Sequence, residues 1–329
     1  MRRYMGKGVA LLLAVLVFCV AACGTQGEKQ PQKDNVADEQ TPGDSTNQGG
    51  DAQDKQNETV TDNKDATGDK SDVSEGGDQS GAVKATIVLS DAGIAVNGTG
   101  CDVRPDRLKI EEAGTYEISG TLSNGSIYVN VDNESEVHLI LKGVKVHNET
   151  SAALFCKKAA KVTVTLEKDT VNEFSDGAAY VFEPNEDEPD ATFFAKHDMV
   201  ITGEGTLKVT ANYGDAIKGK DSLYIHGGII EIDAVDDGIT GRDLLQINGG
   251  AITVRSESDA IKSSNDVDLS LGNIEINGGV LTLTGEGDDI QAENKVTING
   301  GVLQLSDGED GIRSGSRTEL NGGVVSTIK

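Results

Sequence analysis

Apolar and polar residues alternate with a period of two through the second half of the chain, and the alternation returns in register. Leu223 and Ile225 are followed by Ile230 and Ile232, and Leu245 and Ile247 by Ile252 and Val254. The same slots then hold Ile274, Ile276, Leu281 and Leu283, and next Val296, Ile298, Leu303 and Leu305. Period two predicts strands, because successive side chains of an extended chain point to opposite faces. No helical period appears along these segments.

Two markers punctuate the strands. An Asp, a small or acidic residue and an Ile recur at Asp215 to Ile217, Asp237 to Ile239, Asp259 to Ile261, Asp288 to Ile290 and Asp310 to Ile312, spaced 22, 22, 29 and 22 residues apart. A Gly-Gly pair preceded by His or Asn recurs at Gly227, Gly249, Gly278, Gly300 and Gly322. Both markers place one insertion between Lys262 and Ile274, which predicts a loop there. Short strands that cannot bury an apolar face alone, repeated at a fixed interval, predict an all-β solenoid: a right-handed parallel β-helix of about 22 residues per coil. An antiparallel sandwich offers no reason for such a register.

Residues 83 to 213 carry the same signs in weaker register, with Gly120, Gly143 and a segment from Met199 to Val209 that echoes the later coils. The β-helix is therefore expected over 83–329, with the stretch from Ala85 to Val103 closing the start of its core. The sequence stops at Lys329 inside what the pattern predicts as the second strand of a coil, so a C-terminal cap is expected to be missing.

Residues 1–23 read as an export signal: Arg2, Arg3 and Lys7 precede an apolar run from Val9 to Val20 that is too short for a permanent span. Its last residues, Val20 to Cys23, resemble the lipobox of bacterial lipoproteins and make Cys23 the expected lipidation site. The expected location is the extracellular face of the cell membrane, with the membrane met through the lipid anchor only. Residues 24–82 hold almost no large apolar side chain and read as a disordered acidic linker, which as a flexible coil would average roughly 40 Å end to end. Cys101 and Cys156 then remain in the folded part, and their alternating surroundings favour two separate buried thiols over a disulfide.

The chain holds 55 acidic and 29 basic residues, a net charge of −26. The folded part keeps its own acidic excess, which repels nucleic acid and attracts divalent cations. Coils of a β-helix stack about 4.8 Å apart, so the Asp marker becomes a row of carboxylates in mutual repulsion. Hard oxygen ligands suit Ca²⁺, and Asp215, Asp236, Asp237, Asp259, Asp288, Asp289 and Asp310 are the candidate ligands. The alternative is that Lys218, Lys262 and Arg313, each three places beyond an Asp, pair with the row, or that the aspartates shape turns. The Asn row, Asn248, Asn277, Asn299 and Asn321, reads as structural, its amides bonding up the ladder. There is no Trp, and aromatics such as Tyr213 and Tyr224 predict no stacking platform.

With its Asp and Gly-Gly repeats, EEAGTYEISGTLSNGSIYVNV (Glu111 to Val131) and LILKGVKVHN (Leu139 to Asn148), the chain resembles a family of bacterial carbohydrate-binding lipoproteins with a calcium-containing parallel β-helix. That family is related in shape to pectate lyases. The resemblance implies binding of plant cell-wall polysaccharide, polygalacturonate or cellulose, with calcium, carried onto the candidate aspartates and no further. From the residues themselves the expectation is a non-catalytic monomer in which calcium bridges an acidic sugar and Lys218, Lys262 and Arg313 add positive ligand-binding partners. Two rival functions stand beside it. One is a pectate-lyase-like enzyme using Lys262 or Lys218 as the base, and the other a structural adhesin or stalk.

Overall fold

The structure, a computed structural model, describes residues 81–268, 270–306 and 308–328. The expected signal peptide, Cys23 and the linker up to residue 80 lie outside the described residues. Among the described residues the chain is all-β, and nearly every strand pairs in parallel with strands one coil before and one coil after. Three ladders result. In the later coils, one contains Ser222–Ile225, Leu244–Ile247, Asn273–Ile276, Lys295–Ile298 and Arg317–Leu320. A second contains Ile229–Ala234, Ala251–Ser256, Val280–Gly285, Val302–Leu305 and Val324–Thr327. The third, formed by Asp215–Gly219, Ile239–Gly241, Ile261–Ser263, Ile290–Ala292 and Arg313–Ser314, holds the Asp marker.

Register explains the core. Leu223 pairs with Leu245, Leu245 with Ile274 and Ile274 with Val296, so like side chains stack on like through the solenoid. All four are fully buried, and each contributes about 1.5–3 kcal/mol through the apolar surface it removes from water. The insertion leaves the ladders in phase: the chain leaves the third ladder after Ser263 and joins the first at Asn273. Its turn is organised by Asn265, whose Oδ1 accepts the N–H groups of Val267 and Asp268, both at 3.0 Å.

At the N-terminal end parallel pairing gives way to two antiparallel hairpins. Val83–Leu89 pairs in parallel with Gly114–Leu122 on one side and antiparallel with Ala95–Gly98 on the other. Cys101–Arg104 turns back on Arg107–Ile110 in the same way. At two of the three ladders the outermost strand is thus a folded-back, largely exposed segment of the chain's own, which occupies an edge that would otherwise template aggregation. Cys156 is buried and Cys101 half-buried, both unpaired, and burial pushes the Cys101 thiol up to about 11.

The Gly-Gly marker has a backbone cause. The second glycine of each pair, Gly228, Gly250, Gly279, Gly301 and Gly323, takes a positive φ. A Cβ on Gly279 would also lie 3.0 Å from the Gly250 carbonyl oxygen of the coil below. Gly279→Ala therefore combines left-handed backbone strain with a tight contact and is expected to cost about 1–2 kcal/mol, read as a lowered urea midpoint at unchanged slope. Beside the glycines the asparagines form an amide ladder. Asn277 donates to Asn248 at 2.7 Å, Asn299 to Asn277 at 2.8 Å and Asn321 to Asn299 at 2.8 Å.

Candidate functional site

The third ladder brings the repeated aspartates into one row. Ile217 pairs with Ile239, Ile239 with Ile261, Ile261 with Ile290, and Gln291 with Arg313. Two residues before those isoleucines, Asp215, Asp237, Asp259 and Asp288 take equivalent places, with Asp310 following. The first four are buried to 2–8 % exposure, whereas Asp310 is exposed. Each coil is tied to the next through this row: the Asp259 N–H donates to Asp237 Oδ1 at 3.0 Å, and the Asp288 N–H to Asp259 Oδ1 at 2.9 Å. The aspartates therefore hold backbone across coils.

Asp289 departs from the expected strip. It falls in register with Ala260, fully buried, and its Oδ1 accepts from the Gly285 N–H at 2.9 Å and the Ser306 hydroxyl at 2.7 Å. Asp236, by contrast, joins the outer cluster: Asp215, Asp236 and Asp237 each offer an oxygen, and these atoms lie within 4.8 Å of one another. Asp215 Oδ2 and Asp288 Oδ1 are buried without a hydrogen-bond partner, as is Gln291 Oε1.

The three cations fall on the same column of the ladder. Lys218 lies 2.7 Å from Asp190 and 3.0 Å from Asp215 Oδ2, an ion pair with each. Lys262 sits 2.9 Å from both Asp237 and Asp259, and Arg313 reaches Asp288 at 3.3 Å. Thr240 occupies the position between Lys218 and Lys262 in register, so the coil of Asp236 and Asp237 has no cation of its own there. Negative charge is left over at that point.

The titration behaviour follows this geometry. Burial, with Asp237 and Asp190 nearby, pushes the Asp215 carboxyl up to about 7 against the opposing pull of Lys218. Burial, then Asp237, also raises Asp236, and burial raises Asp288. For Lys218 and Lys262 burial works against the charge, but the flanking aspartates outweigh it and hold both ammonium groups above their ordinary value. A lysine held this firmly in its charged form has no lone pair with which to take a proton.

Aromatic groups gather where the sequence reading expected no platform. Tyr180 and Tyr213 stack with centroids 4.1 Å apart, and Phe182 meets Tyr213 at 6.0 Å. Tyr128, Phe155 and Phe194 form a second run, with centroids 5.4 and 5.6 Å apart. Their sequence spacings, 27 and 39, do not follow the later 22-residue register, which is why the period concealed them.

Comparison with known proteins places this arrangement. A carbohydrate-binding domain-containing protein of Acetivibrio thermocellus is 36% identical over 169 residues, covering 51% of this chain and 59% of that protein. The chain thus spans about three fifths of that relative's length. The solved structure of a polysaccharide lyase-like protein from C. thermocellum, a gadolinium derivative, superposes with a TM-score of 0.73 at 30% identity, covering 75% of this chain and 100% of the other. Residues 105–328, which hold the whole Asp row, match the family of carbohydrate-binding domain-containing proteins, and it is to this family that the chain belongs.

Proposed function

We propose that this chain is a non-catalytic, cell-surface polysaccharide-binding protein. In this reading a right-handed parallel β-helix of about 22 residues per coil presents a calcium-bearing Asp row to acidic plant cell-wall polymer, with lipid on Cys23 anchoring it to the extracellular face of the membrane. The observation that carries the reading is the cluster of Asp215, Asp236 and Asp237, three carboxylate oxygens within 4.8 Å of one another in a carbohydrate-binding chain. Oxygens so placed suit an ion bound at about 2.3–2.6 Å by each ligand.

Asp215, Asp236 and Asp237 would hold the calcium, with Asp259, Asp288 and Asp310 extending the row. Bound there, the ion would neutralise the carboxylates and offer an open position to a uronate carboxylate. Lys218, Lys262 and Arg313 would orient the same sugar acid by charge-assisted contacts, moving from pairing with aspartate to pairing with ligand. Their firmly held charge supports binding over lyase chemistry.

Retention on insoluble polygalacturonate and on cellulose, with calcium and with chelator, tests the reading. Retention on polygalacturonate in calcium and release by chelator are expected. Absence of retention on any polymer would leave the stalk reading, and growth of unsaturated-product absorbance would favour the lyase.

A pH dependence follows from Asp215. Its folded-state value, about 7, lies above that of an unfolded aspartate, so the native chain binds the proton more tightly. The stability this group contributes is therefore full at acid pH and declines as pH rises from about 4 to about 7. Calcium competes with that proton and offsets the decline. Adding calcium is expected to raise the unfolding midpoint more at pH 8 than at pH 5, and an equal rise at both would contradict this assignment.

A further inference from the structure

The outward column of the third ladder changes character along its length. In register order Lys109 stands beside Tyr128, Tyr128 beside Phe155, Phe155 beside Phe194, and Phe194 beside Lys218. The column that carries Lys218, Lys262 and Arg313 in later coils thus carries three aromatic rings in earlier ones. Against these rings lies a cleft of about 620 Å³, lined by Tyr128 and Phe155 on the ladder and by Phe182 and Glu186 from the segment that arches over it. Phe194 is fully buried beneath, a rigid backing for Phe155.

The arching segment is clamped at both ends. At its start Asp176, 1% exposed, accepts from the Tyr180 hydroxyl at 2.6 Å, the Thr192 hydroxyl at 2.8 Å and the Asn212 N–H at 2.5 Å. The Tyr180 ring then stacks on Tyr213, and the Val181 N–H donates to the Thr150 carbonyl at 2.9 Å. At its end Glu188 is gripped by Lys196 and Lys220. A concave, preformed cleft with aromatic walls and a few convergent polar groups is the usual form of a small-ligand site.

Charge selects the ligand. Asp106, Glu183, Glu186 and Glu188 line the cleft against Arg107 and Lys157, and the Arg107 guanidinium lies 5.3 Å over the Tyr128 ring. Because Lys196 and Lys220 hold Glu188, and Lys157 and Lys196 stand by Glu186, the cleft carries no net positive charge to draw a uronate. Its carboxylates suit the hydroxyl donors of an uncharged sugar, while Arg107 and Asn124 supply donors to its ring and hydroxyl oxygens. The apolar face of a pyranose meets the aromatic walls.

We propose that this cleft is a second carbohydrate subsite, one that takes a neutral pyranose ring and needs no metal. It rests on the carbohydrate-binding reading but not on the calcium row, and it shares that row's face, so that one polymer could engage both.

The test is calorimetric titration of the full chain, in chelator, with neutral β-1,4-linked hexasaccharides of glucose, mannose and xylose. At least one is expected to bind, and Arg107→Ala and Phe182→Ala are each expected to weaken it at least tenfold at an unchanged unfolding midpoint. Should either variant unfold, crystals of the unaltered protein soaked with the same sugars in chelator decide the matter by ring density in the cleft or its absence there. No binding in chelator, undiminished binding by both variants, or density elsewhere would overturn the proposal. Because calcium plays no part in this titration, its outcome is separate from retention on polygalacturonate, and either reading can fail alone.

Discussion

Replacing Asp215 and Asp237 together with Asn is expected to abolish calcium-dependent retention on polygalacturonate, a loss of at least tenfold in apparent affinity, or about 1.4 kcal/mol. The substitution removes two of the three clustered carboxylates while keeping side-chain size and, at Asp237, the oxygen that accepts the Asp259 N–H. Folding is expected to survive because that inter-coil bond survives. Lys218 would keep Asp190 and Lys262 would keep Asp259, so neither cation is stranded. If the aspartates only shape turns, the double variant should be retained like the unaltered protein. Equal retention measured by depletion from solution would therefore contradict the metal role while leaving the fold intact.

Phe193→Ala is expected to cost about 3–5 kcal/mol, the range for deleting a buried ring and leaving a cavity. Phe193 is fully buried, meets Phe174 edge to face at 5.0 Å, and pairs in the third ladder between Leu154 and Ile217. It therefore bridges the irregular early coils and the regular later ones. Its loss should lower the denaturant midpoint and, because each coil is stabilised mainly by its neighbours, reduce cooperativity between the two halves. Val181→Ala, at a position 75% exposed, serves as the comparison and should shift stability by no more than about 0.5 kcal/mol. A small effect at Phe193 would show that the coils around it repack freely.

What the amino-acid sequence discloses here follows from repetition. Where coils repeat, each inward Leu, Ile or Val has the same neighbours above and below, so the alternation at Leu245 or Ile274 states both the strand and its partner. The Asp marker is legible for the same reason, since its two-residue offset from Ile239 or Ile261 recurs. The stacked asparagines were likewise readable as an amide ladder. Asp289 was not, because it lies in the turn before the strand, where its bonds to the Gly285 N–H and the Ser306 hydroxyl, not the alternation, set its place.

The early coils hide more. Their lengths differ, so Tyr128, Phe155 and Phe194 share a column that no constant spacing reveals. The clamp at Asp176 joins Tyr180, Thr192 and Asn212 across the arching segment, a contact set by tertiary placement. The pairing of Lys218 and Lys262 with aspartates of two coils each was foreseeable only in part: the three-residue step gives the contact within a coil, as from Lys262 to Asp259. The second contact, from Lys262 to Asp237, reaches into the neighbouring coil, where Thr240 stands in register with Lys262 and supplies no cation.

Calcium at the aligned carboxylates is best tested by a crystal structure grown in saturating calcium, with the ion located by its anomalous scattering. The account predicts a peak bounded by Asp215, Asp236 and Asp237, with ligand oxygens at about 2.3–2.6 Å. A map without such a peak, with Lys218 and Lys262 still seated on their aspartates, would contradict it.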